Sequence, residues 1–468
     1  MKKLTIWHTN DVHSRFEGFI GMAGHIRKYA GPDDLILDSG DFADMISVMV
    51  SGTEGLGAMR LLKEAGFDAM AVGNNEFFEG IDTLSRMADA FPMMACNITD
   101  LQGRPVPNII PYKLLERSGI RVLLIGACPF FRGTQFFTDN AGVKLHDPAP
   151  MVSEILEKEK GNYDICVLLS HLGIWHDTEL AEKVQGIDLI LGGHSHTEMS
   201  EPQIVNGTVI FHSGLHSKML GRVEIILDEA DRPEKSGRRS VTINAENITG
   251  ACEPYPELEA VFAEETAKGI KTLSEPLFEM SRELAFDAFS ECPACNMVAD
   301  SLKSEYGGDF ALINNGIICR GFSGTVTKLS LLETSPSILN PTMVWWKGRN
   351  IREALAASFD QNFIRQSGRG PGSRSEVLGA LAVSSNVIVT RPQNGELPEV
   401  FVDGRPLEDG NIYCVMTDDY MYRGKAGYTM LSGSEKQEIY YDGYIRDMLE
   451  KTLRSQSLTD GAFSKRIG

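Results

Sequence analysis

DICVLLSH (residues 164–171) and DLILGGH (188–194) are short apolar runs that each stop at a histidine. Runs of this length that end in small or ionisable residues read as strands buried on both faces of a sheet. The same form recurs on either side of them, at LTIWHT (4–9), LILDSG (35–40), DAMAVG (68–73), MMACN (93–97), RVLLIGA (121–127) and TVIFHSG (208–214). Helical patterns such as TEGLGAMRLLKEAG (53–66) and PAPMVSEILEKEKG (148–161) lie between several of them and close on glycine. This strand-helix alternation, which runs to about residue 225, predicts an α/β domain. Ligands in such domains collect beyond the carboxyl ends of the strands, so the polar tips should face one cleft.

The chain has 468 residues, more than one hydrophobic core usually serves, and two domains are expected. With 42% hydrophobic and 23% charged residues it has the balance of a globular protein. The formal charge of -19 repels nucleic-acid backbones and no basic run offsets it, which argues against a nucleic-acid polymer as partner. A small anionic ligand stays open, because a metal or an arginine pair can reverse the potential inside one cleft. No apolar run approaches the roughly 18 residues of a membrane span, so no membrane partner is expected. The start, MKKLTIWHTND, is too poor in apolar residues for a secretory signal, and eight scattered cysteines form no disulfide framework. Both features point to the cytoplasm, unless a signal has been removed. In ECPAC (291–295), Cys292 and Cys295 form a lone CxxC without the second pair of a four-ligand zinc site. That favours packing at a helix start over a redox or zinc role.

The expected organisation is a first domain over residues 1–227, an excursion and linker helix over 228–275, and a second α/β domain over 276–468. DEADRPEKSGRRS (228–240) reads as a polar hairpin or excursion and YPELEAVFAEETAKGIKTL (255–273) as one amphipathic helix. The second domain opens with the helical NMVADSLKSEYG (296–307), the strand FALINNG (310–316) and the helical NIREALAASFDQ (350–361). SGRGPGSRSE (367–376) reads as an exposed loop.

Collected in order, the strand tips supply Asp11 and His13 in NDVH, Asp41 in SGD, Asn74 in GNNE, His171 in SHLG, and His194 and His196 in GGHSH. Imidazoles, carboxylates and one amide oxygen are the mixture that a pair of borderline divalent ions, Mn, Zn, Fe or Co, requires. Two ions about 3.5–4 Å apart need a bridging carboxylate with further ligands on either side. Each element alone is weak, and a hydrogen-bonded turn after a buried strand would also account for His194 and His196. The ordered set is much harder to explain that way.

In these motifs the sequence resembles the two-domain 5'-nucleotidases of the calcineurin-like metallophosphoesterase superfamily, and the resemblance covers nearly the whole chain. It implies an N-terminal metallophosphoesterase β-sandwich flanked by helices, a linker helix, and a C-terminal α/β substrate-binding domain. It also implies a small-molecule phosphate substrate, a nucleotide above all. Carried over, one metal would be held by Asp11, His13, Asp41 and His196. The other would be held by Asp41, Asn74, His171 and His194, with Asp41 as the bridge. His8 in the HTND opening supports the strand rather than a metal.

GNNE is the departure. The family usually has a histidine at position 75, which helps the leaving oxygen depart, and an aspartate three residues later that orients it; here these are Asn75 and Phe78. The chain is similar in this to a cytoplasmic subgroup from Gram-positive bacteria that also reads GNNE. An asparagine can donate a neutral hydrogen bond to a phosphoryl oxygen but cannot deliver a proton, so Asn75 is the candidate catalytic residue in an altered role. Glu76 and Glu79 are the alternative proton sources nearby.

In the second domain the match is partial. ALINNGIICRG (311–321) resembles the family's Asn-Gly-rich strand end that finishes in an arginine, which gives Asn315 and, one place late, Arg320. TDDYMYRGKAGY (417–428) resembles the segment with a base-stacking aromatic, which gives Tyr420. Ala426 stands where an aspartate usually meets ribose, and Ala380 where a second aromatic belongs. Arg365, Arg369 and Arg374 form a local basic cluster that could meet phosphate or be a solvated loop. The expected function is a dinuclear metal-dependent phosphohydrolase acting on a nucleotide-like ester or anhydride. The alternatives are a diesterase or sulfur-ester hydrolase on the same site, or a metal-holding regulatory protein without turnover.

Overall fold

The computed structural model describes residues 1–130, 141–227, 241–368, 376–392, 396–424, 426–441 and 443–468. The polar excursion at 228–240, together with Arg369 and Arg374, lies outside the described residues.

The apolar runs of the first half form two six-stranded sheets. In one, Lys2–Thr9, Leu35–Asp38, Ala69–Ala71 and Met93–Met94 run parallel. Met219–Leu227 and Val241–Thr249 extend it antiparallel beside Lys2–Thr9. In the other, Ile120–Ala127, Ile165–Ser170, Leu189–Gly192 and Thr208–His212 run parallel between antiparallel edge strands, Tyr112–Arg117 and Gln203–Val205.

Side chains alternate across each strand, and the alternation builds two cores. Val122, Leu124, Val167, Leu169, Leu189 and Leu191 face Leu4, Ile6, Leu35, Leu37 and Val223 of the first sheet, which makes the sandwich. Leu123, Ile125, Cys166, Leu168 and Ile190 turn the other way, onto Val152 and Ile155 of helix Pro148–Lys158 and Leu180 of helix Ile174–Lys183. Strands covered on both faces have no polar side to show, which is why they appear in the sequence as unbroken apolar runs.

Three predicted helices are shorter than expected, the 148–161 pattern ending at Lys158 and the 350–361 pattern at Ala357. The run from residue 53 is helical only over Leu56–Glu64, because Gly55 takes φ 80° and Glu54 φ 52°, which separates it from a short helix at Val48–Gly52. The 255–273 pattern is one helix, Pro256–Leu273. Its Phe262 packs 5.7 Å from Phe16, and its Glu264 and Glu265 pair with Arg60.

The chain divides into two units, Met1–Thr272 and Leu273–Gly468. The second is built on a five-stranded mixed sheet in the order Leu381–Val383, Phe310–Asn314, Ile412–Asp418, Pro341–Lys347 and Gln437–Ile439. Ala311 and Ile313 pack with helices Pro293–Tyr306 and Ile445–Thr452, while Phe310 and Leu312 face helix Gly348–Ala357 and Tyr428. Cys292 and Cys295 are buried at the start of helix Pro293–Tyr306, and Cys292 Sγ donates to Asp287 O at 3.5 Å. Among the described residues, no helix is long and apolar enough to cross a membrane.

Candidate metal centre

Five strands deliver the predicted ligands to one place: three strands of the first sheet carry Asp11, His13, Asp41 and Asn74, and two of the second carry His171, His194 and His196. The turns that hold them are unusual. Asp11, His13, Asp41, His194 and His196 have φ between 47° and 71°, the left-handed region that costs a residue with a Cβ roughly 1–2 kcal/mol. Backbone bonds hold these turns in place, with Asp11 N donating to Gly40 O (3.0 Å) and His13 N to Asp41 O (2.9 Å). Gly193 can only be glycine, since a Cβ would fall 2.9 Å from His171 Nδ1 and 2.9 Å from Ser39 O.

The side chains form two groups, Asp11 with His13 and His196, and Asp41 with His171 and His194, each with its candidate ligand atoms within 4.8 Å of one another. Asp41 reaches both, its Oδ2 lying 3.2 Å from His171 Nε2 and 3.7 Å from His13 Nε2. Its Oδ1 accepts from Asn75 N at 2.9 Å. Asp11 accepts from His194 N and from Asn10 Nδ2, which also donates to Gly214 O. His13 Nε2 and His196 Nε2 converge to 3.1 Å.

The donor set fits divalent cations. Asn74 Oδ1 is buried without a hydrogen-bond partner, and His171 Nε2 is buried against the Asp41 carboxylate, 3.2 Å from Oδ2. An unsatisfied buried polar atom ordinarily costs about 1–3 kcal/mol, which a cation would relieve. His171 Nδ1 is engaged at 2.6 Å by Ser39 O, so it carries a proton and turns Nε2 toward the cluster. Burial disfavours the His171 imidazolium, but Asp41 and Asp11 outweigh it and push the pKa up to about 10. A cation at Nε2 would take the place of that second proton. Burial, reinforced by His171, pushes His194 down to about 4, so it is a neutral donor at neutral pH.

Residues 4–198 match the family model for calcineurin-like phosphoesterases, and residues 270–433 match that for the 5'-nucleotidase C-terminal domain. The chain belongs to the two-domain metallophosphoesterase and 5'-nucleotidase family. As a member it is a metal-dependent hydrolase of phosphate esters. It is 28% identical to the uncharacterized metallophosphoesterase YunD of Bacillus subtilis (strain 168), over 96% of this chain and 98% of the relative. It is 24% identical to a snake venom 5'-nucleotidase of Gloydius brevicauda, over 92% of this chain and 83% of the relative. In fold it is similar to the NAD nucleotidase of Haemophilus influenzae, with a TM-score of 0.66 at 16% identity, over 97% of this chain and 96% of that one.

Around the metallophosphoesterase centre lie residues that sequence reasoning missed. Asp44 Oδ2 is 3.9 Å from His13 Nδ1. His216 has its ring centroid 5.8 Å from that of His13, and its backbone N donates to Asp11 O. A buried Asp177–His212 pair at 2.9 Å, with Ser170 Oγ donating to Asp177, braces the strand end that carries His171. None of these sits in a recognisable motif, and only the fold brings them near.

His8 is buried between Ser39 Oγ (2.8 Å) and Ser213 Oγ (3.2 Å) and takes no part in either group. Asn75 is buried with its Nδ2 3.4 Å from His13 Nδ1, and Phe78 is buried with its ring 6.3 Å from that of Phe77. Glu76 is wholly buried and accepts from Asp41 N, Ala43 N and Gly73 N, a brace for the loop.

In the nucleotidase-type unit, Asn315 is buried and its Nδ2 donates to Asp287 O (2.9 Å) and Ser290 O (2.8 Å). Arg320 pairs with Glu333 on an exposed surface. Tyr420 is partly buried against both apolar clusters of this unit. Arg365 lies over the Phe289 ring, 4.0 Å from its centroid.

Proposed function

We propose that the chain hydrolyses a nucleotide or nucleotide-like phosphate ester or anhydride at a dinuclear centre in its first unit. One ion would be held by Asp11, His13, Asp41 and His196, the other by Asp41, Asn74, His171 and His194. The observation that carries this reading is that the two groups of ligand atoms meet at Asp41, whose Oδ2 lies 3.2 Å from His171 Nε2 and 3.7 Å from His13 Nε2, while the buried Asn74 Oδ1 has no hydrogen-bond partner. When bound, two such ions supply Lewis acidity toward a phosphoryl oxygen and a water nucleophile at neutral pH.

The chain's own residues set the limits of the chemistry. Asn75 stands beside His13, where its amide can donate to a phosphoryl oxygen but cannot protonate a leaving alkoxide. Phe78 brings an apolar ring where an orienting carboxylate would be needed. Glu76 does not fill the gap, because its carboxylate is spent on three backbone N–H groups. Substrates with good leaving groups, anhydrides and aryl esters, are therefore favoured over alkyl monophosphates.

Nucleotide recognition is supported by the 5'-nucleotidase-type second unit and by the activities for which the relatives are named. In this reading Asn315, Arg320 and Tyr420 contribute contacts to the substrate. Phosphate release from a panel of nucleoside phosphates, anhydrides, aryl esters and alkyl esters, with Mn²⁺ added and after chelation, tests the proposal. Metal-dependent release is expected, fastest for anhydrides and aryl esters. No release from any member of the panel by fully loaded protein overturns it.

A further inference from the structure

Trp175 is 83% exposed, in the first turn of helix Ile174–Lys183. Its neighbour Ile174 packs onto the outer core of the second sheet, but Trp175 belongs to none of the apolar clusters. An indole in water forfeits a large apolar area that most tryptophans bury. What surrounds it indicates a use. Trp175 lines a cleft of about 220 Å³ whose other walls are Leu172, Gly173, His176, His194 and Ser195. His194 is one of the predicted ligands, so whatever occupies the cleft touches a residue of the candidate centre.

The cleft is fixed in shape. Ile174 N donates to Ser195 Oγ at 3.0 Å, and Ser195 Oγ hydrogen-bonds Thr197 Oγ1 at 2.9 Å, which ties the start of the Trp175 helix to the His194–His196 turn. The backbone that carries the indole is therefore set relative to His194, in a helix and not on a free loop. The second unit, in contrast, has Ala380 buried where the family pattern places an aromatic, so an aromatic platform there is incomplete.

We propose that Trp175 is a specificity-determining residue, a stacking platform for the flat aromatic part of the substrate, a nucleobase or an aryl leaving group, while the phosphoryl group lies at the centre beside His194. This rests on the phosphohydrolase reading above. A flat π-surface suits any base, so the platform selects for aromatic character and not for one base. A protein partner would need more than one exposed ring, and the cleft's opening onto His194 favours the substrate as occupant.

The test uses the full chain loaded with Mn²⁺, as wild type, Trp175→Ala and Trp175→Phe. The readout is the ratio of kcat/KM for phenyl phosphate and adenosine 5'-monophosphate to that for glycerol phosphate. In Trp175→Ala the ratio should fall roughly tenfold, mainly through KM, and Trp175→Phe should restore most of it. A uniform change for all three esters, or none, overturns the proposal. Fluorescence excited at 295 nm separates this from failure of the activity itself. The signal difference between wild type and Trp175→Phe should be quenched saturably by adenosine 5'-monophosphate and not by inorganic phosphate or glycerol phosphate. Absence of that quenching overturns the platform whether or not any ester is cleaved. Saturable quenching without phosphate release from any ester upholds the platform and overturns the phosphohydrolase reading.

Discussion

In the first unit, six side chains from four strand ends converge in two groups, and a fifth strand end brings Asn74, whose buried Oδ1 has no hydrogen-bond partner. In the second, the residues expected to hold substrate are largely engaged with their own unit: Asn315 Nδ2 with two carbonyls, its Oδ1 alone being buried without a partner, Arg320 with Glu333, and Tyr420 with the core. The contrast separates two demands on a protein. A metal centre needs its donors fixed in advance, and backbone geometry at strand ends fixes them whatever the rest of the sequence does. Recognition of an organic ligand depends on side chains that can exchange one partner for another, and it is distributed over loops.

The largest effect that would break this contrast concerns Asp41, which reaches both groups. Asp41→Ala should lose both ions by metal analysis and all measurable turnover, while His171→Ala should lose chiefly one. If Asp41→Ala keeps two equivalents of metal, the two groups do not share a bridge and the centre has been drawn wrongly.

Next in size is the leaving-group defect. Asn75→His together with Phe78→Asp should raise alkyl-ester turnover toward the about 10²-fold lower end of general-acid catalysis, and aryl-ester turnover much less. Equal alkyl and aryl rate constants in the wild type, under chemistry-limited conditions, would mean that another group already supplies the proton.

Smaller still is the expected effect in the second unit. The Arg320–Glu333 pair is solvent-exposed, and such pairs contribute about 0–1 kcal/mol, so substrate can draw Arg320 away from Glu333 at little cost. Arg320→Ala should raise KM for a nucleotide by about tenfold or less and leave bound metal unchanged. A loss of metal in this variant would erase the distinction between the units.

Asp418 should leave turnover untouched and affect stability alone. Burial, with Asp419 adding to it, pushes its carboxyl up to about 7; Oδ1 accepts from Tyr420 N and Met421 N, while Oδ2 is buried without a partner. The folded state thus holds a proton that the unfolded chain releases near 3.8. Between those values stability falls as pH rises, and the penalty is complete above about 7. Asp418→Asn keeps the Oδ1 acceptor and removes the charge. Its melting temperature relative to wild type should therefore be higher at pH 8 than at pH 5, and an equal difference at both pH values would refute the assignment.

The sandwich and the grouping of the candidate ligands were legible because both follow local rules. Apolar runs covered on both faces mark the strands, and a ligand directly beyond such a run needs no knowledge of the partner strands. Ser39, Asp44, His216 and the Asp177–His212 pair were not legible, since each acts through a contact that only the paired sheets create. Trp175 was hidden for a different reason. One residue beyond the core-facing Ile174 in a helix, it reads in sequence as another apolar position, and only its exposure sets it apart. The helix expected from residue 53 began late because a left-handed Gly55 overrode an otherwise helical composition.

The strand Lys2–Thr9 pairs on one side with Leu35–Asp38 and on the other with Met219–Leu227. On a ribosome its second neighbour does not exist until residue 227 has been added. At about 5–20 residues per second that is a wait of roughly ten to forty seconds. Through that interval the nascent chain carries an unpaired apolar strand edge, the kind of surface that chaperones bind and that aggregates recruit. The first strand of the first unit is thus among the last of that unit to be sealed, and the yield of intact protein in a cell should depend on what shields that edge in the meantime.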